Sequence, residues 1–288
     1  MNTIGTGTYG SSWRAKYFSS NLQQVLRKAL VAEKVCTVDR SDSFYIHNPY
    51  SNQPTAAIQA VAGTYSVSAW TVTDDSLTVT DEVIYGEHVF DFEKMLNSYN
   101  LMSARFDEMA YAVAYGIDDF VVNNLCEDAT STYSTPSGGF TTPSNIPVIF
   151  ANIIAKLSGY SDSFKGMFVI LENSDLVGLV QTQASSGFNY ADTALRNGLI
   201  GNYLGVDIYV VRDSTFRDAT IGSTTVTNSG HRVAGVKMVA TYAAPRGLQY
   251  DEKGVTAKTG KEIAVWGYVG FRFWIQKRAL GIDITLVA

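Results

Sequence analysis

The chain of 288 residues lacks the features of several large protein classes. Its two cysteines, Cys36 and Cys126, are too few for a disulfide framework and favour a reducing compartment. It contains no run of about 18 apolar residues, so we expect no membrane-spanning helix. Its first ten residues hold neither a basic region nor an apolar stretch, so we expect no secretory signal.

Charged residues are also scarce, at 17% of the chain against roughly 25% in an ordinary soluble domain. Ser, Thr, Asn, Gly and aromatic residues replace them, including 17 Tyr and 14 Phe. With 46% hydrophobic residues the chain can bury a sizeable core. Its length allows one large or two modest domains, and its composition indicates many strands and large contact surfaces.

Basic residues are absent between Arg40 and Lys94, a stretch that contains eight acidic ones. Residues 1–211 carry 11 basic and 21 acidic residues, whereas residues 212–288 carry 11 and 6, so only the second part is positive. The acidic stretch is either a solvated face or an arm that binds a basic surface, for example on another copy of the chain.

Motifs for catalysis and ligand binding are missing as well. Residues 5–10 match G-x-G-x-x-G, but the four residues before them cannot form the strand that precedes a dinucleotide-binding loop. The three histidines are scattered, and neither cysteine has the surroundings of a known nucleophile. We therefore predict no catalytic, cofactor or metal site and no enzyme activity, and we interpret both cysteines as small buried hydrophobes.

Apolar residues at helical spacing predict a helix over residues 13–33, after a mobile arm, and a second over residues 101–127. The second helix would be about 40 Å long at 1.5 Å per residue, with Gly116 as a point where it could bend. Further helices are predicted at residues 147–157, 174–184 and 191–197.

Alternating apolar residues predict a long β-hairpin over residues 65–85, with Asp74 and Asp75 at its turn. Because an isolated hairpin is marginally stable, its apolar face must lie on another surface. Shorter strands are predicted at residues 35–38, 44–46, 167–171, 206–211 and 247–252. A central strand is predicted at residues 263–275, and the Ser-, Thr-, Pro- and Gly-rich residues 130–145 indicate a linker.

The order of these elements resembles that of tailed-bacteriophage major capsid proteins, which share the Hong Kong 97-type α+β fold. Residues 65–85 resemble the E-loop of that family and residues 102–127 its spine helix. Residues 198–210 resemble its A-domain, and residues 231–240 with 263–273 resemble the return into its P-domain. The resemblance implies an N-arm with a first helix (1–33), strands and the E-loop (34–92), the spine helix with part of the P-domain (93–145), the A-domain (146–240) and the P-domain return strands (241–288).

The resemblance implies a protein that assembles with itself through hexamers and pentamers into an icosahedral head, a virion shell built in the host cytoplasm. It also implies a separate scaffolding protein, a portal, decoration proteins and nonspecific contact with packaged double-stranded DNA. An encapsulin-type nanocompartment shell and a phage tail or adhesin protein are the alternatives. Some family members crosslink through an E-loop lysine, but no lysine lies between Lys34 and Lys94 here, so we expect no such bond.

The acidic hairpin and the basic C-terminal part lead to a hypothesis about neighbouring subunits. The acidic residues would set the register on a basic P-domain surface of an adjacent subunit, while apolar burial supplies most of the affinity. The hairpin contacts would come from Tyr65, Val67, Asp74, Asp75, Leu77, Val79, Asp81 and Glu82. The basic surface would be formed by Arg246, Lys253, Lys258, Lys261 and Arg272.

Overall fold

The fold is taken from a computed structural model of the full sequence. The structure describes residues 30–51, 69–89, 101–160, 165–186, 199–254 and 260–287, together with residues 56, 58, 63, 67 and 162. The predicted helix at residues 191–197, and all but the end of the one at 13–33, lie outside the described residues.

Four α-helices lie in the described part of the chain: α1 (Ala32–Val35), α2 (Leu101–Glu127), α3 (Ile146–Leu157) and α4 (Leu176–Ser186). The prediction of a strand beginning at Val35 is wrong, because Val35 ends α1 and the strand follows at Thr37–Asp39. The two predicted helices near residues 146–186 are confirmed. The second begins at Leu176, after a capping box in which the side chains of Glu172 and Asp175 each accept a backbone N–H.

The long helix α2 is confirmed over its predicted length, and its hydrogen bonding is continuous through Gly116. A Cβ atom at Gly116 would lie 2.6 Å from Cγ1 of Val83. Glycine therefore lets a strand approach the helix closely, rather than marking a break in it.

The first large sheet contains β1 (Thr37–Asp39), β14 (Ala240–Ala243), β16 (Lys261–Phe273), β15 (Gln249–Gly254) and β6 (Asp81–Val89). The N-terminal part of β16 pairs with both β6 and β15, and its C-terminal part pairs with β14. The prediction of a central strand is thus confirmed. Met109 and Val113 of α2 pack on Ile263 and Val265 of β16, so the helix covers one face of this sheet.

The second large sheet has six strands in the order β7 (Ser131–Ser134), β17 (Gly281–Thr285), β13 (His231–Val236), β8 (Met167–Glu172), β10 (Val206–Val211) and β9 (Leu199–Tyr203). Residues 241–288 therefore supply strands to both large sheets. The main core lies around this sheet, where α3 buries Ile149, Phe150 and Ile153 at helical spacing.

The prediction of a linker over residues 130–145 is wrong. Residues 131–134 form β7, which pairs in parallel with β17, and Phe140 is fully buried in the core. The Ser- and Thr-rich composition indicated a loop, but β17 offers a free edge to which this polar segment adds as an outer strand.

Three two-stranded pairs complete the described fold: β2 (Tyr45–His47) with β5 (Ser76–Thr78), β3 (Tyr50–Ser51) with β4 (Val72–Thr73), and β11 (Asp218–Ile221) with β12 (Thr224–Thr227). All three pairs are antiparallel. The first two pairs join the same two segments of the chain, one pair after the other. We call residues 45–51 and 65–80 the arm, and we call its part next to the sheets, residues 75–80 with Phe44 beside them, the arm root.

Candidate assembly surfaces

The arm replaces the hairpin that the sequence predicts. Residues 72–78 pair with residues 45–51, and the following strand β6 pairs with β16. The turn predicted at Asp74 and Asp75 is therefore wrong. Alternating apolar residues specify a strand but not its partner, so two acidic residues that interrupt the pattern predict a turn even where the chain continues in the same direction.

Asp75 is buried at the root of the arm, with 3% of its surface exposed. Its Oδ1 accepts hydrogen bonds from Nε and Nη2 of Arg272, at 2.9 and 2.7 Å, and its Oδ2 accepts the backbone N–H of Ile275 at 2.8 Å. The carbonyl oxygen of Asp75 accepts the N–H of Asn48 at 2.7 Å. Asp75 and Arg272, which we predicted to lie on the facing surfaces of two subunits, are paired here within one chain.

The apolar residues after Asp75 are also covered by the chain itself. Leu77 and Val79 are buried together with Ala243 of β14. A Cβ atom at Gly270 would lie 2.8 Å from the carbonyl oxygen of Thr78, so the backbones of β16 and the arm meet there without a side chain between them. Leu77 and Val79, which we predicted to bury their apolar face on a neighbour, thus form a small core within their own chain at the arm root.

Asp81, at the start of β6, is likewise engaged within the chain. It is 8% exposed, and its carboxylate accepts hydrogen bonds from the backbone N–H and the hydroxyl of Ser223. The carboxylate that we predicted to contact a neighbour is thus bound by its own chain.

The other residues of the predicted hairpin contact keep an exposed surface. Val67 is 84% exposed, and Glu82 is exposed on β6. Asp74 is half-exposed, and its Oδ2 lies 2.6 Å from Nδ1 of His47 on the facing strand. Tyr65 lies outside the described residues.

Trp70 is the arm residue that sequence reasoning missed, since 81% of its surface is exposed. Its position is even, on the side of the alternating pattern that is mostly polar. A large aromatic residue on a polar face is the signal that could have identified it.

The predicted basic surface is only partly available. Arg272 forms an ion pair with Asp75, and the Lys261 ammonium forms one with Glu252. Lys258 lies outside the described residues. Lys253 is exposed, and the Arg246 guanidinium lies 5.7 Å from the centroid of the Phe44 ring at the arm root. Lys253, Arg246 and Lys261 are thus the predicted basic residues that are exposed, and Lys261 is also paired with Glu252.

Asp118 attaches the start of α1 to the long helix α2. Its Oδ1 accepts the backbone N–H groups of Val31 and Ala32, at 2.8 and 2.6 Å. Burial, opposed by these two hydrogen bonds, raises the pKa of this carboxyl to about 6. Sequence reasoning did not single out this contact, because the two segments are almost ninety residues apart in the chain.

The two cysteines are buried free thiols, at 1% and 2% exposure, which confirms their interpretation as small hydrophobes. Cys126 lies 3.7 Å from Oδ1 of Asp283, which also lies 2.7 Å from Nδ1 of His231. Burial raises the pKa of both thiols. Because the thiolate is the reactive form, this cluster is poorly suited to nucleophilic chemistry.

Two further observations concern the described residues only. No helix among them is long and apolar enough to cross a membrane. Within the same ranges, no three His, Cys, Asp or Glu side chains come together in a way that could hold a metal ion.

Comparison with known proteins identifies the fold. The chain is similar to a chain of the capsid of cyanophage P-SCSP1u, at 14% identity and a TM-score of 0.70, over 100% of this chain and 96% of the other. It is similar to a chain of the capsid of an empty GTA particle (12% identity, TM-score 0.72, 98% of each chain) and to one of Mycobacterium phage Che8 (17%, 0.70, 94% and 97%). No family model matches the chain, and no curated protein matches it in sequence.

The likeness extends over 94–100% of this chain in these three comparisons. The chain therefore has the fold of bacteriophage capsid proteins. The α+β Hong Kong 97-like fold, which the order of elements predicted, is confirmed.

Proposed function

We propose that this chain is a major capsid protein, which assembles through hexamers and pentamers into an icosahedral head around phage DNA. The observation that carries the proposal is the likeness to capsid chains over nearly the full length of both proteins. A shell protein has no need of a catalytic site or a cofactor, and we assign it neither. Its place is the virion, after assembly in the host cytoplasm.

The physical properties of the chain support a shell role. Identical subunits that form a closed shell must meet through different patches on each partner, so each subunit needs extended contact surfaces. The arm carries such a surface, with Val67 and Trp70 almost fully exposed. In the proposal, packaged DNA meets the inner face through backbone charge without sequence recognition. Scaffolding, portal and decoration proteins are further partners.

The test is sedimentation of the purified protein, expressed alone and together with the neighbouring structural genes of its phage. We expect fast-sedimenting particles of a few discrete sizes. A monodisperse monomer under every condition would contradict the proposal. Particles that enclose an enzyme bound through a peptide tail, and no DNA, would instead identify an encapsulin-type compartment.

We propose, second, that the exposed part of the arm and the start of β6 contact an adjacent subunit. The residues left for this contact are Tyr65, Val67, Trp70, Asp74 and Glu82, since the other members of the predicted set are buried in their own chain. Asp74 and Glu82 would face the exposed basic residues of the adjacent subunit, which in the described part include its Lys253 and Arg246. Exposed pairs contribute only about 0.2–1 kcal/mol each, so burial of Val67 and Trp70 supplies most of the affinity.

The test is a double charge reversal, Asp74→Lys with Glu82→Lys, which spares the buried Asp75 and Asp81. We expect slower assembly at low salt and partial recovery at 1 M salt, where the Debye length falls to about 3 Å. The matched control reverses two exposed carboxylates elsewhere, Asp107→Lys with Asp218→Lys, and should assemble like the unmodified protein. Equal assembly of both variants at low salt would show that the arm charges are merely solvated.

A further inference from the structure

The β11–β12 hairpin extends from the six-stranded sheet without joining either large sheet. It follows β10 and precedes β13, two strands of that sheet, and its own strands pair only with each other among the described residues. A two-stranded hairpin is at best marginally stable alone. Tertiary anchors must therefore hold it in place.

The base of the hairpin is fixed to α2. Nη2 of Arg217, just before β11, lies 2.6 Å from Oδ2 of Asp119. Just after β12, at the same base, the Asn228 side chain donates to the carbonyl oxygen of Asn123 at 2.9 Å. Val226 on β12 is fully buried. These contacts tie the base to the long helix and, through the adjoining strands, to the six-stranded sheet.

The tip of the hairpin is fixed to the arm root by the Asp81 carboxylate, and the Thr80 and Ser223 hydroxyls also lie 3.4 Å apart. Oδ1 of Asp81 accepts the backbone N–H of Ser223 at 2.6 Å, and Oδ2 accepts the Ser223 and Thr80 hydroxyls, each at 2.9 Å. Gly222 has a φ of +63°, and a Cβ atom there would lie 2.5 Å from Oδ1 of Asp81. The tip conformation is thus one that favours glycine, and it brings the turn against the carboxylate.

We propose that Asp81 is a positioning residue, and that the β11–β12 hairpin is a strap which couples the six-stranded sheet to the arm root. Asp81 comes three residues after β5 and starts β6. It therefore lies where the chain passes from the arm into the first large sheet, the one that α2 covers. Fixing this point to the hairpin tip fixes the direction in which the arm leaves the subunit. The inference rests on the proposed function in one respect: the arm direction matters because the arm contacts a neighbour.

The first test measures amide hydrogen exchange in the soluble full-length protein. Asp81→Ala removes the acceptor, and Gly222→Ala disturbs the same contact from the hairpin side. Both should speed exchange about tenfold or more in residues 218–227 and also in residues 72–80, because a buried charged hydrogen bond is lost. The matched control is Asp218→Ala, which removes the carboxylate that accepts the Ser229 N–H on the same hairpin, and it should leave residues 72–80 unchanged.

The second test separates positioning from simple stability. Shells assembled from either tip variant should show a broader range of diameters, whereas those of the Asp218→Ala control should match the unmodified protein. Unchanged exchange at residues 72–80, or loosened exchange with shells of unchanged diameter, would overturn the inference. If the unmodified protein forms no shells, the proposed function fails, while the exchange measurement still decides whether the strap holds the arm root.

Discussion

At the scale of single residues, the acidic residues between Arg40 and Lys94 have different roles although they carry the same charge. Asp75 and Asp81 are buried and hold their own chain together, whereas Asp74 and Glu82 keep exposed surface. The sequence shows eight acidic residues without a basic one, and nothing in that pattern separates the buried from the exposed. The partners that separate them, Arg272 and Ser223, are far away in the chain.

The Asp75–Arg272 pair leads to a first prediction. Replacing Arg272 by Ala leaves a carboxylate that is 3% exposed with only backbone donors, so the free energy of unfolding should fall by about 2–4 kcal/mol. We place the loss toward the lower part of the range for buried pairs because the Arg272 side chain is 31% exposed. Chemical denaturation measures it, with the exposed Lys253→Ala as control. Equal stability of the two variants would show that the Asp75–Arg272 pair does not contribute to the free energy of unfolding.

Asp118 leads to a prediction about pH. Its pKa is raised to about 6 in the folded chain, against 3.8 as the ordinary value, so the folded state binds the proton more tightly than the unfolded state. The contribution of this group to the free energy of unfolding must therefore fall as the pH rises from about 4 to about 6. At 1.36 kcal/mol per pKa unit the fall amounts to about 2–3 kcal/mol.

Denaturation of Asp118→Asn across this pH range checks the prediction. The difference in stability between the unmodified protein and the variant should shrink or change sign in favour of the variant as the pH rises. Asp107→Asn, an exposed carboxyl on the same helix, should show no such trend. Parallel pH profiles for the unmodified protein and Asp118→Asn would contradict the assignment.

At the scale of elements, regular periodicity was the reliable guide. The helices at 101–127 and 146–157 and the strand at 206–211 were predicted closely, because a buried face leaves a repeating trace in the sequence. The partners of the strands were not predictable in the same way. The arm pairing of 45–51 with 72–78 depends on contacts that a local pattern does not contain, and β7 exists because β17 presents an edge to it.

The contact between the arm root and β16 gives an element-scale prediction. A Cβ atom at Gly270 would lie 2.8 Å from the carbonyl oxygen of Thr78 and 2.9 Å from Cα of Val79, both backbone atoms that move only with the whole arm root. Gly270→Ala should therefore destabilise the protein by about 1–3 kcal/mol, the usual range for overpacking. Gly159→Ala is the matched control, since no atom lies within 4 Å of its added Cβ. Comparable thermal stability of the two variants would mean that the arm root is not closely packed on β16.

At the scale of the whole molecule, the order of elements was more informative than any motif. No catalytic or binding motif pointed to a function, whereas a long helix between an acidic extended segment and a mixed α+β unit pointed to the capsid fold. The contact surfaces were the least predictable part, because burial within one subunit decides which residues remain for another.

The absence of lysine between Lys34 and Lys94 gives a whole-molecule prediction. An isopeptide bond needs a lysine amine, and the segment that includes the arm offers none. Denaturing gel electrophoresis of mature particles should therefore show a single band near 31.4 kDa. A ladder of covalent multimers would show that the subunits are crosslinked from another part of the chain.

The central claim is that this chain builds a closed shell, and electron microscopy of particles formed by the expressed protein tests it most directly. We predict closed icosahedral shells with five-fold and six-fold capsomers, in which each capsomer subunit has the two large sheets and the long helix described above. Open tubes or fibres without five-fold capsomers, or no assembly in the presence of the phage's other head proteins, would contradict it.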